Sequence, residues 1–162
     1  MESKDAMYGA IARGDTNAVR NILKEDPTVL TIHVVNKSWL HWAAQDGNIE
    51  IMDIFAAAGL PVDCLTSDGY STPLDVAAGQ GNLEACRWLL DHGAALNRGL
   101  GVSATPVFSA IYGKSIDVVK LFVERGANLN AVFGEEMIGV IRYAENYGTP
   151  DIVGFLKGAI AA

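Results

Sequence analysis

The chain has 162 residues, 50% of them apolar and 19% charged, which is enough to bury a core and excludes disorder driven by low hydrophobicity. Its formal net charge of −7 argues against nucleic acid as a direct partner, because phosphate binding needs clustered lysine and arginine. No run reaches the ~18 apolar residues of a membrane span, and the start Met1-Glu2-Ser3-Lys4-Asp5 is acidic where a secretion signal is positive, so a soluble, cytoplasmic protein away from membranes is expected.

In chain order, the first unit carries Ala10-Ile11, a break at Gly14-Asp15, and an apolar stripe at Ala18, Val19, Ile22 and Leu23. That pattern predicts a short helix, a turn and a second helix. Asp15 or Thr16 is placed to cap the second helix, and Asp26-Pro27 to end it. The second unit opens at Ser38-Trp39-Leu40-His41 and runs through Trp42, Ala43 and Ala44 to a break at Gly47. Ile49, Ile51, Met52, Ile54 and Phe55 then form its second stripe, closed by Gly59 as a left-handed cap. The third unit opens at Thr72-Pro73-Leu74-Asp75 and repeats the order, with Ala77, Ala78, Gly81 and then Leu83, Trp88, Leu89 and Leu90 before Gly93. Trp88 is expected in the core, and the preceding Asp68-Gly69 signals a tight turn. The fourth unit opens at Thr105-Pro106-Val107-Phe108 and places Ile116, Val118, Val119, Leu121, Phe122 and Val123 before Gly126. Its lead-in, Asn97 to Ala104, has two glycines and no turn aspartate, and is expected to be the most mobile of the connections. The fifth unit has Gly134-Glu135-Glu136-Met137 ahead of it and no T-P line, but keeps Ala144, Gly148, Ile152, Val153, Phe155 and Leu156.

Few residues point to chemistry. Cys64 and Cys86 are 22 residues apart with no C-x-x-C, and read as small apolar filler. Gly99-Leu100-Gly101 lacks the preceding strand, the third glycine and the following lysine of a phosphate loop. His33, His41 and His92 fall in three different units at non-equivalent offsets, and no serine–histidine–acid set or carboxylate pair converges. No enzyme activity, cofactor or metal is therefore expected.

Aligned on the threonine of T-P, the units begin at Asp5, Ser38, Thr72, Thr105 and Gly139, spaced 33 or 34 residues apart. They are expected to divide a single domain into repeats at about 5–37, 38–71, 72–104, 105–138 and 139–162, a closed array. A fixed period near 33 with a T-P-L-H-x-A-like line resembles the ankyrin-repeat family, most closely in repeats two to four. The resemblance implies an all-α solenoid of five stacked helix-turn-helix units with projecting turn or hairpin fingers, and atypical terminal repeats acting as caps. It gives His41 a structural role, tying neighbouring turns together by hydrogen bonds. It also implies a non-catalytic protein-binding module, monomeric on its own, that uses a concave face of finger tips and inner helices. One use is an inhibitor or immunity protein that neutralises a toxin or enzyme; the alternative is an adaptor or scaffold regulator. The net charge favours a basic protein partner.

Carried over residue by residue, the family's contact positions are Val34, Val35, Lys37, Gln45 and Asp46 in repeat two, with Trp42 added as an aromatic anchor. Repeat three supplies Asp68, Gly69, Ser71, Gly79 and Gln80, with Tyr70 from the longer finger. Repeat four supplies Gly101, Val102, Ala104, Tyr112 and Gly113, and repeat five Glu135, Glu136, Ile138, Asn146 and Tyr147. Aromatics at such positions are typical of interface hot spots.

Overall fold

A computed structural model describes residues 2–97, 106–134 and 136–161. The apolar stripes become helices joined in pairs by tight turns. These are α1 (Glu2–Ala12) with α2 (Thr16–Glu25), α3 (Trp39–Asp46) with α4 (Ile49–Ala57), α5 (Pro73–Gln80) with α6 (Leu83–Asp91), α7 (Pro106–Tyr112) with α8 (Ile116–Glu124), and α9 (Val140–Tyr147) with α10 (Pro150–Ala161). The odd-numbered inner helices touch one another in sequence, and so do the even-numbered outer ones, giving two parallel rows. The expected mobility of the fourth finger falls on residues outside the described ones.

Each pair buries its apolar stripes against the next pair, since two short helices alone leave them in water. Small residues set the spacing of the inner row. Ala43, Ala77 and Ala110 hold one equivalent position in three repeats, and all are fully buried. Ala77→Leu is expected to overpack this seam and cost roughly 1–3 kcal/mol, read as a lower Tm. An unchanged Tm would mean that the seam has room.

The turns between paired helices reuse one device. The residue after each turn caps the outer helix: Asp15 accepts from the Ala18 amide at 2.9 Å, Asn48 from Ile51 at 3.1 Å, and Ser115 from Val118 at 3.4 Å. Asn82 departs from the pattern and sends its amide back to the carbonyls of Ala44 and Gln45, at 3.3 and 2.5 Å, satisfying the open end of α3 in the previous repeat. In the first four repeats the residue just before the cap is left-handed: Gly14, Gly47 and Gly81 have φ of 66°, 70° and 73°, but repeat four has Lys114 there, at 56°. A side chain in this region costs about 1–2 kcal/mol that glycine avoids, offset in part by glycine's freer unfolded chain. Lys114→Gly is therefore expected to stabilise the protein by about 1 kcal/mol and raise Tm by roughly 2–4 °C. A lower Tm would show that the lysine side chain contributes more than its backbone strain costs.

Polar contacts lock the repeats in register. His41 is fully buried. Its Nε2 donates to the Ser71 carbonyl at 3.1 Å and its Nδ1 accepts from the Ser38 hydroxyl at 2.8 Å, so one ring joins two turns as the resemblance implies. Asp63 and Asn97 stand at one repeat-equivalent position. Each accepts from a backbone N–H of the following repeat, Ala95 at 3.0 Å and Asn128 at 2.8 Å. Thr72 and Asp75 form a reciprocal capping box at the start of α5, the Asp75 carboxylate accepting from the Thr72 amide at 2.8 Å. Trp88 is buried as expected and donates its indole N–H to Asp53 at 2.8 Å. Cys86 is buried and Cys64 half-buried, both free; burial pushes the Cys86 thiol up to about 12 and also raises that of Cys64.

Two features were not expected from the sequence. Pro27 does end α2, but it also begins a 3-10 turn, Pro27–Thr31, whose first free amide is capped by Asp26. Gly113, carried over as a contact position, also marks a close approach between inner helices. A Cβ there would lie 2.6 Å from the Gly79 carbonyl oxygen, so the end of α7 packs against backbone and only glycine fits, while Gly113 itself stays half-buried.

Candidate protein-binding surface

The fingers among the described residues are short hairpins. The first pairs Val34 with Lys37 across Val35 and Asn36, whose φ values of 49° and 64° give the twist of a two-residue hairpin turn. A β-branched residue is strained there, yet Val35 is 79% exposed. The finger of repeat three is held by Asp68, which accepts from the Thr66 hydroxyl at 2.6 Å and the Tyr70 amide at 3.1 Å. Those bonds, the Thr66 hydroxyl foremost, hold the Asp68 carboxyl below the ordinary carboxylate range. The last finger is a two-stranded ladder, β1 (Val132–Phe133) and β2 (Ile138–Gly139), paired Val132 to Gly139 and Phe133 to Ile138. Val35, Tyr70 and Met137 thus present large apolar groups at three fingers, Tyr70 at 64% and Met137 at 67% exposure.

Beside the fingers the inner helices carry two aromatic clusters. In the first, the Tyr8 ring meets Trp42 edge-on, centroids 5.0 Å apart at 88°. Lys37 Nζ lies 4.7 Å from the Trp42 ring and donates to Gln45 Oε1 at 2.5 Å, while the indole N–H donates to the Val34 carbonyl at 3.2 Å. Partial burial lowers the Lys37 ammonium and raises the Asp46 carboxyl from their ordinary values, each opposed by the other's charge. Tyr8, Ile11, Arg13, Trp42, Gln45 and Asp46 line a 460 Å³ recess here.

The second cluster joins Phe108, Phe133, Tyr143, Tyr147 and Tyr112. Phe108 meets Tyr143 edge-on at 5.0 Å and 73°, Phe133 lies 4.8 Å from Tyr143, and Tyr147 follows at 4.7 Å. Tyr112 is 6.4 Å from Tyr147 and 65% exposed. Burial, then the neighbouring phenols of Tyr147 and Tyr112, push the Tyr143 hydroxyl above the ordinary tyrosine value.

The structure therefore gathers Val34, Lys37, Trp42, Gln45 and Asp46 at one place and Tyr112 and Tyr147 at another. Trp42, Gln45, Lys37, Val34 and Ser71 are half-buried, while Asp46, Gln80, Glu136 and Asn146 are exposed. Gly101, Val102, Ala104 and Glu135 lie outside the described residues. Tyr8, Phe108, Phe133 and Tyr143 were not singled out by sequence. A signal for three of them exists: Tyr8 and Phe108 stand three residues after their repeat origins, and Trp42 and Tyr143 four after theirs, so each edge-on pair is one repeat step long. Among the described residues no group of three or more His, Cys, Asp or Glu side chains is placed to hold a metal ion. No helix among them is long and apolar enough to cross a membrane.

Comparison with known proteins agrees with this architecture. The family profile described as ankyrin repeats (3 copies) matches residues 6–99 and, overlapping, 40–133. A transient receptor potential cation channel subfamily A member 1 homolog of Caenorhabditis elegans is 28% identical over 130 residues, which is 80% of this chain and 11% of that one. Palmitoyltransferase ZDHHC13 of Mus musculus is 42% identical over 59 residues, 36% of this chain and 10% of that one. The human enzyme of the same name gives the same figures, 42% over 59 residues. The chain thus spans about a tenth of the length of these relatives. It belongs to the ankyrin-repeat family, whose repeats form protein–protein interaction modules.

Proposed function

We propose that the chain binds one protein partner through its finger tips and inner helices, without catalysis, as a single domain of five repeats, monomeric on its own, in the cytoplasm. The observation that carries this is the set of exposed apolar groups on that side, Val35, Tyr70, Met137 and Tyr112, which leave large hydrophobic area in water for no internal gain. Trp42 and Tyr147 extend it. Asp46, Asp68 and Glu136, with Glu135 by sequence, outweigh Lys37 and Arg13, so the face steers a basic partner. Covering a basic toxin or enzyme as a stoichiometric inhibitor uses these features directly. An adaptor role is favoured by a different observation, that the relatives carry matching repeats as a tenth of much longer chains.

The test begins with affinity capture of a partner and proceeds to variants of known stability. Tyr112→Ala is expected to weaken binding by about 2 kcal/mol, some thirtyfold. Asp46→Lys should slow association and make it less sensitive to salt. Lys120→Glu, exposed on the outer helix α8, should leave binding unchanged. Normal binding by the first two together with loss from the third would put the site on the opposite side.

A further inference from the structure

The two aromatic clusters are built alike but completed differently. Each has an edge-on pair one repeat step apart, Tyr8 with Trp42 and Phe108 with Tyr143. In the first, the residue just before the repeat origin is Lys37, and its ammonium lies 4.7 Å from the Trp42 ring centroid. In the second, the equivalent residue is Ile138, so the chain brings no cation there from that position. Among the described residues no other lysine or arginine lies over a ring face. What stands in its place is a recess of 220 Å³ lined by Gly79, Phe108, Ser109, Tyr112, Phe133 and Tyr143.

That recess suits a flat cation. Four of its six lining residues are aromatic, and aromatic ring faces carry partial negative charge that attracts guanidinium and ammonium groups. Gly79 keeps one side open, since a Cβ built there would meet nothing within 4 Å. Tyr112 and Tyr143 both line it, and phenol oxygens can accept hydrogen bonds from a donor-rich group. The chain's net charge of −7 adds long-range attraction.

We propose that this recess receives an arginine side chain of the protein partner, its guanidinium stacked on the rings and its N–H groups donating to the tyrosine hydroxyls. Arginine fits better than lysine because its planar, weakly hydrated head stacks on rings and offers five donors in fixed directions. The assignment rests on the binding-face reading above, and supplies the partner chemistry that the reading left open.

A free peptide tests it without the partner. The blocked tripeptide acetyl-Gly-Arg-Gly-amide, titrated into the whole chain, is expected to shift the backbone amide resonances of Gly79, Ser109, Tyr112 and Phe133 saturably in the millimolar range. The citrulline peptide has the same shape without the charge and should bind about tenfold more weakly, the norleucine peptide more weakly still. Tyr112→Ala should abolish the arginine shifts while its far-UV circular dichroism is unchanged. Absence of saturable shifts, or equal binding of citrulline or norleucine, would overturn the proposal. Equal binding of the lysine peptide would overturn the choice of guanidinium. If the peptide fails while Tyr112→Ala still weakens the captured partner, the binding face stands and the arginine assignment alone falls.

Discussion

Acidifying the protein from pH 7 to pH 4 is expected to remove about 3 kcal/mol of stability through His41 alone. The fully buried ring has its pKa lowered from 6.5 to about 4. Burial is the main cause, opposed by the hydrogen bond to the Ser71 carbonyl; among the charges facing the ring, Lys37 and His33 lower it further and Asp68 raises it. The folded value thus lies below the unfolded one. Between pH 6.5 and about 4 the unfolded chain takes up a proton that the folded chain refuses, so stability falls as pH falls through that window and levels off below it. Each unit is worth about 1.4 kcal/mol, which gives the figure above. Asp46, raised by burial, works weakly in the opposite sense. Urea unfolding at pH 7, 6, 5 and 4 reads the effect. His41→Gln keeps a donor for the Ser71 carbonyl but has nothing to titrate, so its curve should be flatter by the same amount. Parallel curves for the two proteins would remove His41 as the cause.

How much of this was legible in the sequence follows from where each signal lives. The period, the T-P lines and the alternation of small and large apolar residues are local and recur, so the stack, its seam of alanines and the role of His41 could be read before any coordinates. The aromatic clusters were harder, because each joins residues 34 or 35 positions apart that no single window contains. Comparing positions three and four of successive repeats would have shown them. Pro27 read only as a stop, because proline cannot continue α2; yet Asp26 as N-cap with proline at the first helical position is also the local start signal of the 3-10 turn. Gly113 was read incompletely for a different reason: alignment says which position it holds, but only the neighbouring backbone at Gly79 says why no side chain fits there.

Trp39 is the joint on which the first repeat depends, and Trp39→Ala is expected to cost about 3–5 kcal/mol, the largest effect of any single change considered. The residue takes the place of the usual proline at the start of α3, yet it is fully buried. Its indole N–H donates to the Val29 carbonyl at 2.7 Å, within the 3-10 turn that follows α2. One side chain therefore fills the core and anchors the connection between repeats one and two. Trp39→Phe keeps most of the volume but loses the indole hydrogen bond, and should cost about 1 kcal/mol, since the Val29 carbonyl still accepts from the Ile32 amide at 3.0 Å. In a stack whose repeats contact only their neighbours, loss at this joint should be felt first by α1 and α2. Amide hydrogen exchange is expected to speed up there at variant strengths that leave α6 and α8 protected. Tyr8 would leave Trp42 at the same time, so the first aromatic cluster should dissolve while Tyr112 and Tyr147 keep theirs. Uniform loss of protection across all the helices would show instead that the array unfolds as one unit and that Trp39 has no special charge of the first repeat.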